Sequence, residues 1–427
     1  MKNKYLIATL LALLAPEVSA QRLLVSITIE GLNAEKMIAE SGKSGSTGFR
    51  KLMERAMIYE KAVYPFTSVD QASSIAALVT GTTPHYNGIT ANRWYDVEKR
   101  RSIGCTDDET PGALLCSTLT DELKVSTNGV AQVFSIAYNK ETAILSAGHA
   151  ANAAIWRDEV SRKWRTSTYY SKKGLKWLET FKVQNANRDN SVITKLALQC
   201  IDSQSLGSDD VCDILSVNFD EDQYDNLDRC VGSLVDGIEN KVGAQHVIFC
   251  MTGTSNTNEA YSDVYQRMRI PTGTFYINRT ASLLNMYLGA LYGRNQYVEA
   301  YYRNHIFLDK KIIEQRHINN SELLEQCRTF LLDCDGVVNV RTAIDGLFPH
   351  CGELEVEIRP GWNLLNEDTG DRYQYRCGSL PVPVIIYGPG IKAQRINTIV
   401  TLDRLAPTLA GCIHIRAPNA CTAKPLF

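Results

Sequence analysis

The 427-residue sequence lacks a strong excess of charge of either sign, with 45 Lys and Arg against 47 Asp and Glu. The basic footprint that is typical of nucleic-acid-binding proteins is absent, so no nucleic-acid partner is expected. Beyond the first twenty residues the sequence also lacks the run of about 20 apolar residues that a membrane-spanning helix needs. Apolar residues make up 44% and charged residues 22%, which excludes a disordered or collagen-like chain and is typical of a globular protein.

The first twenty residues have the three parts of a secretory signal peptide. Lys2 and Lys4 provide the positive start, residues 5–15 are apolar, and Val18-Ser-Ala20 is a small-residue cleavage site. We therefore expect the mature chain to begin at Gln21 and to be secreted across the inner membrane. A periplasmic or outer-membrane-associated location follows, with no transmembrane segment left after cleavage.

The twelve cysteines lack the close C-x-x-C pairs that would indicate a zinc site. In an exported protein an even number of cysteines instead predicts disulfide bonds. Sequence spacing favours the pairs Cys105–Cys116, Cys327–Cys334, Cys351–Cys377 and Cys412–Cys421. A buried free thiol is the alternative for Cys250, which lies inside an apolar run.

Apolar runs of strand length alternate with amphipathic helices along most of the chain. The β-branched run 22–29 predicts a central strand that ends at Glu30. Further strands are predicted at 130–136, 213–218, 246–251 and 383–387, and helices at 49–56, 71–79, 224–239 and 401–413. This alternation predicts a doubly wound, mostly parallel α/β sheet with helices on both faces.

The stretch from 270 to 375 follows another pattern, with predicted helices at 281–291 and 319–332 and strands at 306–308 and 337–341. It is interpreted as an inserted α+β subdomain. The expected organisation is a signal peptide at 1–20, a first part of the core at 21–269, the insertion at 270–375 and the last part of the core at 376–427.

Several segments together resemble one family. They are Ala77-Leu-Val-Thr-Gly-Thr-Thr-Pro84, Asn92-Arg-Trp-Tyr-Asp96, Ala143-Ile-Leu-Ser-Ala-Gly-His149, Ile270-Pro-Thr-Gly273 and Pro383-Val-Ile-Ile-Tyr-Gly-Pro-Gly-Ile391. In this order they resemble the alkaline phosphatase superfamily, in its branch of nucleotide pyrophosphatase/phosphodiesterase-like and phosphate-irrepressible alkaline phosphatases. The resemblance implies a doubly wound core, hydrolysis of phosphate esters, two zinc ions held by Asp and His, and a Thr or Ser nucleophile.

The residues at the family's metal-ligand positions depart from that pattern. Glu30 stands where the resemblance places the first ligand Asp, and it is the only ligand-like residue that is retained. The acidic segment 219–225 contains no His at the next ligand pair. Gly253 and Thr254 replace the Asp-His ligands, and Pro381 replaces the last ligand His. Since zinc needs about three good protein ligands per catalytic ion, no metal is expected.

The nucleophile and the phosphate contacts are altered as well. Gln71 occupies the nucleophile position, and a glutamine amide cannot form a phosphoryl-enzyme. Thr67 and Ser68 are the fallback nucleophiles if the loop is shifted. Asn92 matches the family's substrate-contacting Asn. The positions that match the family's Lys-x-Arg phosphate clamp read Asn139-Lys140-Glu141, so Lys140 keeps one positive charge in this area while Glu141 would repel a phosphate dianion.

Two functional hypotheses follow from these positions. The first is a degenerate, catalytically inactive pseudophosphatase without cofactors, which acts as a binding or scaffold component and has other cell-envelope proteins as partners. The alternative is an active metal-dependent phosphomonoesterase or phosphodiesterase with a drifted site, for which zinc is the cofactor. Stoichiometric zinc binding distinguishes the two hypotheses.

Overall fold

The computed structural model describes residues 21–32, 34, 37, 48–67, 69–170, 175–181, 188–254, 268–346, 349–374 and 381–427. The predicted signal peptide, Ser68 and Cys377 lie outside these ranges, so the hypotheses on them stay predictions. No helix within the described ranges is both long enough and apolar enough to cross a membrane.

The helices and strands are numbered here in chain order. The strands are β1 Leu23–Glu30, β2 Met57–Val63, β3 Arg93–Asp96, β4 Arg101–Gly104, β5 Val133–Ile136, β6 Ala153–Arg157, β7 Trp164–Arg165, β8 Asp213–Phe219, β9 Val247–Thr254, β10 Thr274–Tyr276, β11 Val298–Tyr302, β12 His305–Leu308, β13 Val337–Thr342, β14 Leu354–Ile358, β15 Asn363–Asn366, β16 Asp371–Gln374, β17 Val382–Tyr387, β18 Gln394–Ile396 and β19 Val400–Thr401. The helices are α1 Gly48–Arg55, α2 Gln71–Thr80, α3 Pro84–Asn87, α4 Leu119–Ser126, α5 Lys140–Ala147, α6 Lys176–Thr180, α7 Asn190–Gln204, α8 Tyr224–Val242, α9 Ile277–Tyr292, α10 Lys310–Gln315, α11 Asn320–Leu332 and α12 Leu405–Cys412.

The central sheet has ten strands in the described ranges, in the order β18-β2-β17-β9-β1-β8-β5-β6-β7, with β19 beside β2. The five strands from β9 to β6 are parallel, whereas β17 runs antiparallel to both β9 and β2. The predicted α/β fold with a large, mostly parallel sheet is confirmed. The reversed strand β17 brings its start, Val382, to the edge where β9 and β2 end.

Helices cover both faces of this sheet because the inner strands are apolar on both sides. Side chains of α1, α7 and α8 pack on one face around Leu52, Leu196 and Leu234. Side chains of α2, α4 and α12 pack on the other face around Leu78 and Leu123. All eight residues of β9 are buried, which explains why its sequence is a continuous apolar and small-residue run.

The segment between residues 274 and 374 forms two further sheets. One has the order β10-β15-β16 and the other β11-β12-β14-β13. These sheets and helices α9 and α11 share a separate hydrophobic core, in which Leu284, Leu324 and Val356 are fully buried. The small sheets therefore form a body beside the central sheet, as the α+β pattern predicts.

No disulfide bond joins any two of the cysteines that the structure describes. The Cys327–Cys334 pairing is wrong for a geometric reason. Cys327 is fully buried on α11, which continues to Leu332, so Cys334 lies about 10 Å further along the helix axis. A disulfide requires its two Cα atoms to lie within about 7 Å of each other.

The Cys412–Cys421 pairing also fails on position. The Cys421 sulfur lies beside Gly81 and the Ala406 side chain, near the start of α12, whereas Cys412 is the last residue of that helix. Cys105 packs with Trp94 and Leu114, and the structure shows no bond from it to Cys116.

Candidate active site

The candidate site lies at the edge of the central sheet where the parallel strands end. Glu30 ends β1 and Thr254 ends β9, side by side in the strand register. Strand β17 lies between β2 and β9 and is antiparallel to both, so β2 and β9 run in the same direction and end at the same edge. The segment after Val63, at the end of β2, therefore leads to the start of α2 at this edge. Ligand sites of α/β proteins lie at this edge, because the loops that follow parallel strands converge there.

Helix α2 begins with a capping box. The Ser73 N–H donates to Asp70 Oδ1 at 3.1 Å, and the Asp70 N–H donates to Ser73 Oγ at 2.9 Å. The same Asp70 carboxylate accepts the Asn92 N–H at 2.7 Å through Oδ2. Asp70 therefore ties the first turn of α2 to the segment that carries Asn92.

Gln71 and Asn92 meet at this helix start. The Ala72 N–H donates to Asn92 Oδ1 at 2.8 Å. No described group accepts a hydrogen bond from the Asn92 side-chain amide, which leaves this donor available to a ligand. The Gln71 Oε1 atom is buried and has no hydrogen-bond partner among the described residues. The structure thus brings the predicted nucleophile position and the predicted substrate contact together.

The hydroxyl groups near Gln71 are already engaged. Arg341 Nη2 donates to Thr67 Oγ1 at 3.0 Å. Ser73 Oγ is part of the capping box, and the fully buried Ser74 Oγ donates to the Asp70 carbonyl at 2.6 Å. Because these bonds cap and brace α2, freeing a hydroxyl for attack on phosphorus would require rearrangement of the helix start. Ser68 lies outside the described residues.

Lys140 is the first residue of α5, which packs against α2. Its charge lowers the pKa of Asp107, although the backbone hydrogen bond from Gly104 is the larger cause. Glu141 follows it and faces the buried Cys105, whose pKa is raised by burial and then by the Glu141 and Asp70 charges.

Glu30 lies in the most acidic part of the site. Burial, and then the charges of Asp220 and Glu221, raise the pKa of Glu30 to about 7. Arg188 partly opposes this effect, and its Nη1 atom donates to Asp220 Oδ2 at 3.0 Å. Glu30 can therefore hold or release a proton near neutral pH.

Position 253 cannot carry a ligand side chain. A Cβ atom built on Gly253 would fall far inside 3.0 Å of the Leu32 carbonyl oxygen and 3.1 Å from Val382 Cγ1. The obstacle is backbone, which cannot rotate away as a flexible side chain would. The backbone of Leu32 therefore occupies the space that a metal-ligand side chain at position 253 would need.

The other ligand positions hold no histidine either. Asn218, which lies directly before the acidic segment 219–225, is bonded within the core, where it accepts the Thr28 hydroxyl at 2.6 Å and donates to the Ile136 carbonyl at 3.0 Å. Thr254 ends β9 as a buried hydroxyl, and Pro381 precedes β17. Within the described ranges, no group of three or more His, Cys, Asp or Glu residues is arranged to hold a metal ion.

One cation of the site was not found from the sequence. Arg303 lies in the turn between β11 and β12, and its Nη1 atom lies 3.4 Å from Asp70 Oδ2. Its guanidinium also faces the rings of Tyr302 at 5.9 Å and Tyr373 at 5.5 Å from their centroids. The small sheets therefore reach the start of α2 directly.

The doubly wound sheet, with the site at its carboxyl edge and a second body beside it, defines an alkaline-phosphatase-like α/β protein. The family model described as "Type I phosphodiesterase / nucleotide pyrophosphatase" matches residues 24–379. The chain belongs to this family. The predicted family is thereby confirmed, whereas the predicted degeneracy of the site remains a hypothesis.

The chain is similar over nearly its whole length to two alkaline phosphatases. It is 20% identical to alkaline phosphatase PafA from Elizabethkingia meningoseptica, over 95% of this chain and 94% of that protein. It is 21% identical to alkaline phosphatase PhoV from Synechococcus elongatus, over 95% of this chain and 92% of that protein. The crystal structure of wild-type PafA has the same fold, with a TM-score of 0.83, 20% identity and coverage of 95% and 98%.

The expectation that the protein has no cofactor is wrong. The family is shown and the matched relatives are alkaline phosphatases, so the resemblance to zinc-dependent phosphatases holds over the chain. The donors in the described ranges nevertheless do not fit two zinc ions. Glu30 supplies one carboxylate, the backbone blocks position 253, and Pro381 has no donor side chain.

Proposed function

We propose that this protein is a phosphoric ester hydrolase of the cell envelope, exported by its signal peptide, in which the family's site has been remodelled. Membership of the phosphodiesterase family over residues 24–379 is the observation that carries this proposal. The geometry at the start of α2 supports it, because Asn92 keeps a free amide donor beside the position from which the nucleophile acts. Zinc is the cofactor that the family implies, but the donors in the described ranges do not fit two zinc ions, so the proposed step rests on the side chains of this protein itself.

The residues present favour attack by water over attack by a side chain. Gln71 cannot carry a phosphoryl group, and Thr67 and Ser74 are held in other hydrogen bonds. Glu30 is the described carboxylate of this edge with a pKa near the working pH, which suits a general base that takes the proton of water. The Asn92 amide would donate to a phosphoryl oxygen and orient it.

A pseudophosphatase that binds other envelope proteins is the second candidate. Gln71 in place of a hydroxyl and the blocked position 253 favour it, because both remove parts that a two-zinc reaction requires. Under this candidate the cleft is kept for its shape, and catalytic turnover is absent.

The test compares the mature chain, with and without added zinc, on p-nitrophenyl phosphate and bis-p-nitrophenyl phosphate. The proposal expects turnover that falls at least tenfold in Asn92→Asp, which keeps the acceptor for the Ala72 N–H but replaces the free donor with a charge. It also expects loss of the neutral-pH rate in Glu30→Gln. Gln71→Ala is the matched control, since the proposal assigns Gln71 no chemical step. Absence of turnover with every zinc addition would favour the pseudophosphatase.

A further inference from the structure

Arg303 belongs to the small sheets between residues 274 and 374, but its side chain lies at the start of α2, more than 200 residues earlier in the chain. It occupies the β11–β12 turn with φ 51°, a left-handed conformation that is unfavourable for a non-glycine residue. Its Nη1 atom approaches the carboxylate of Asp70, which caps α2 directly before Gln71. Arg303 therefore lies beside the start of α2, where the family resemblance places the nucleophile at Gln71.

The hydrogen-bonding capacity of this guanidinium is only partly used. Its side chain is 29% exposed, but its Nε atom is buried and has no partner among the described residues. The Nη1–Asp70 separation of 3.4 Å is longer than a good charged hydrogen bond, which lies near 2.7–2.9 Å. A guanidinium has five N–H donors, and this one is hydrogen-bonded to Asp70 and to Tyr373, so its buried Nε–H remains without an acceptor among the described residues.

Asp70 does not need Arg303 as its principal partner. Its carboxylate already accepts the Ser73 and Asn92 N–H groups at 3.1 and 2.7 Å. The rings of Tyr302 and Tyr373 hold the guanidinium in place from its sides. This arrangement fixes the position of a cation while its Nε–H stays without a partner among the described residues, so the guanidinium can still donate to a ligand.

The sequence also explains why a new cation is required. At the positions of the family's Lys-x-Arg clamp the chain has Asn139-Lys140-Glu141, so Glu141 stands in the place of the arginine. We propose that Arg303 supplies the missing phosphate contact and binds the phosphoryl oxygens of a phosphoric ester beside Asn92. This inference rests on the proposed function, because it assigns the ligand of the same site.

The experiment is calorimetric titration of the zinc-supplemented mature chain with phenylphosphonate, a phosphate ester analogue that is not hydrolysed. Removing a charged hydrogen-bond donor weakens binding on the order of tenfold to a hundredfold, so we expect this loss in Arg303→Gln. Arg279→Gln is the control, since Arg279 pairs with Glu367 in the same small body.

The outcomes separate this inference from the proposed function. If the wild type does not bind phenylphosphonate, the proposed function fails, and this assignment fails with it. If the wild type binds and Arg303→Gln binds equally well, the assignment of Arg303 is wrong while the proposed function stands. Equal urea midpoints for the wild type and Arg303→Gln would show that a loss of binding is not a loss of folding.

Discussion

Gly253 provides a sharp test of the packing at the sheet edge. In the Gly253→Ala variant the new methyl group would collide with the Leu32 carbonyl oxygen and would also press on Val382. Because the obstacle is backbone inside a fully buried strand, the chain must move to accept the methyl group. Overpacking of a closed core costs about 1–3 kcal/mol, and a backbone obstacle places this variant near 3 kcal/mol.

The assay is urea unfolding of the wild type, Gly253→Ala and a matched control. The control is Gly289→Ala, because Gly289 lies within helix α9 and nothing lies within 4 Å of the methyl group it would gain. We expect the control to be stabilised by about 0.5–1 kcal/mol, the usual gain from replacing glycine in a helix. If Gly253→Ala unfolded within 0.5 kcal/mol of the wild type, roughly the scatter of neutral surface substitutions, the steric argument would be refuted.

Three further expectations can be checked separately. In zinc-free protein the pKa of Glu30 is raised from 4.5 to about 7, so ionisation of Glu30 lowers the stability of the fold as pH rises through this range. The Glu30→Gln variant should therefore be more stable than the wild type only above this range, and an equal gain at acid pH would contradict the argument. The Asp121 carboxylate is hydrogen-bonded to His149 Nδ1 at 2.9 Å and raises the pKa of His149. The stability advantage of the wild type over His149→Gln should therefore be largest below pH 6.5 and shrink as pH rises through that raised pKa. A difference in stability that is constant across this range would count against the ion pair. N-terminal sequencing of the native protein should find Gln21 as its first residue, and retention of Met1 would exclude signal cleavage.

Most of the sheet could be predicted from the sequence, because its inner strands are continuous apolar runs. The runs 22–29 and 213–218 correspond closely to β1 and β8. Strand β2, Met57–Val63, was not predicted, since its polar residues at Glu60 and Lys61 interrupt the pattern near the edge of the sheet. The reversal of β17 was not predicted either, because strand direction depends on the connections and leaves no trace in local composition.

The site was only partly accessible to sequence reasoning. The family resemblance selected Gln71 and Asn92, and the hydrogen bond from the Ala72 N–H to Asn92 shows that residues 20 apart in sequence meet there. Asp70 could have been found, since an aspartate directly before a helix is a capping signal. Arg303 could not, because it reaches Asp70 across 233 residues, through a tertiary contact that no periodicity encodes.

The errors in the cysteine pairs have the same origin. Closeness in sequence was taken as closeness in space, but helix α11 holds Cys327 and Cys334 apart. A helix that continues between two cysteines fixes their separation at 1.5 Å per residue, whatever the redox conditions are. The predicted helix at 319–332 was therefore already evidence against that pair.

The central claim is that this family member acts on phosphoric esters. The most direct measurement is a phosphorus NMR time course of the mature chain, with added zinc, mixed with a phosphate monoester and a phosphate diester. The account predicts that at least one ester signal declines while a product signal grows, and that Asn92→Asp slows this conversion at least tenfold. Unchanged ester signals in the presence of folded, zinc-supplemented protein would contradict the account and leave the pseudophosphatase as the remaining candidate.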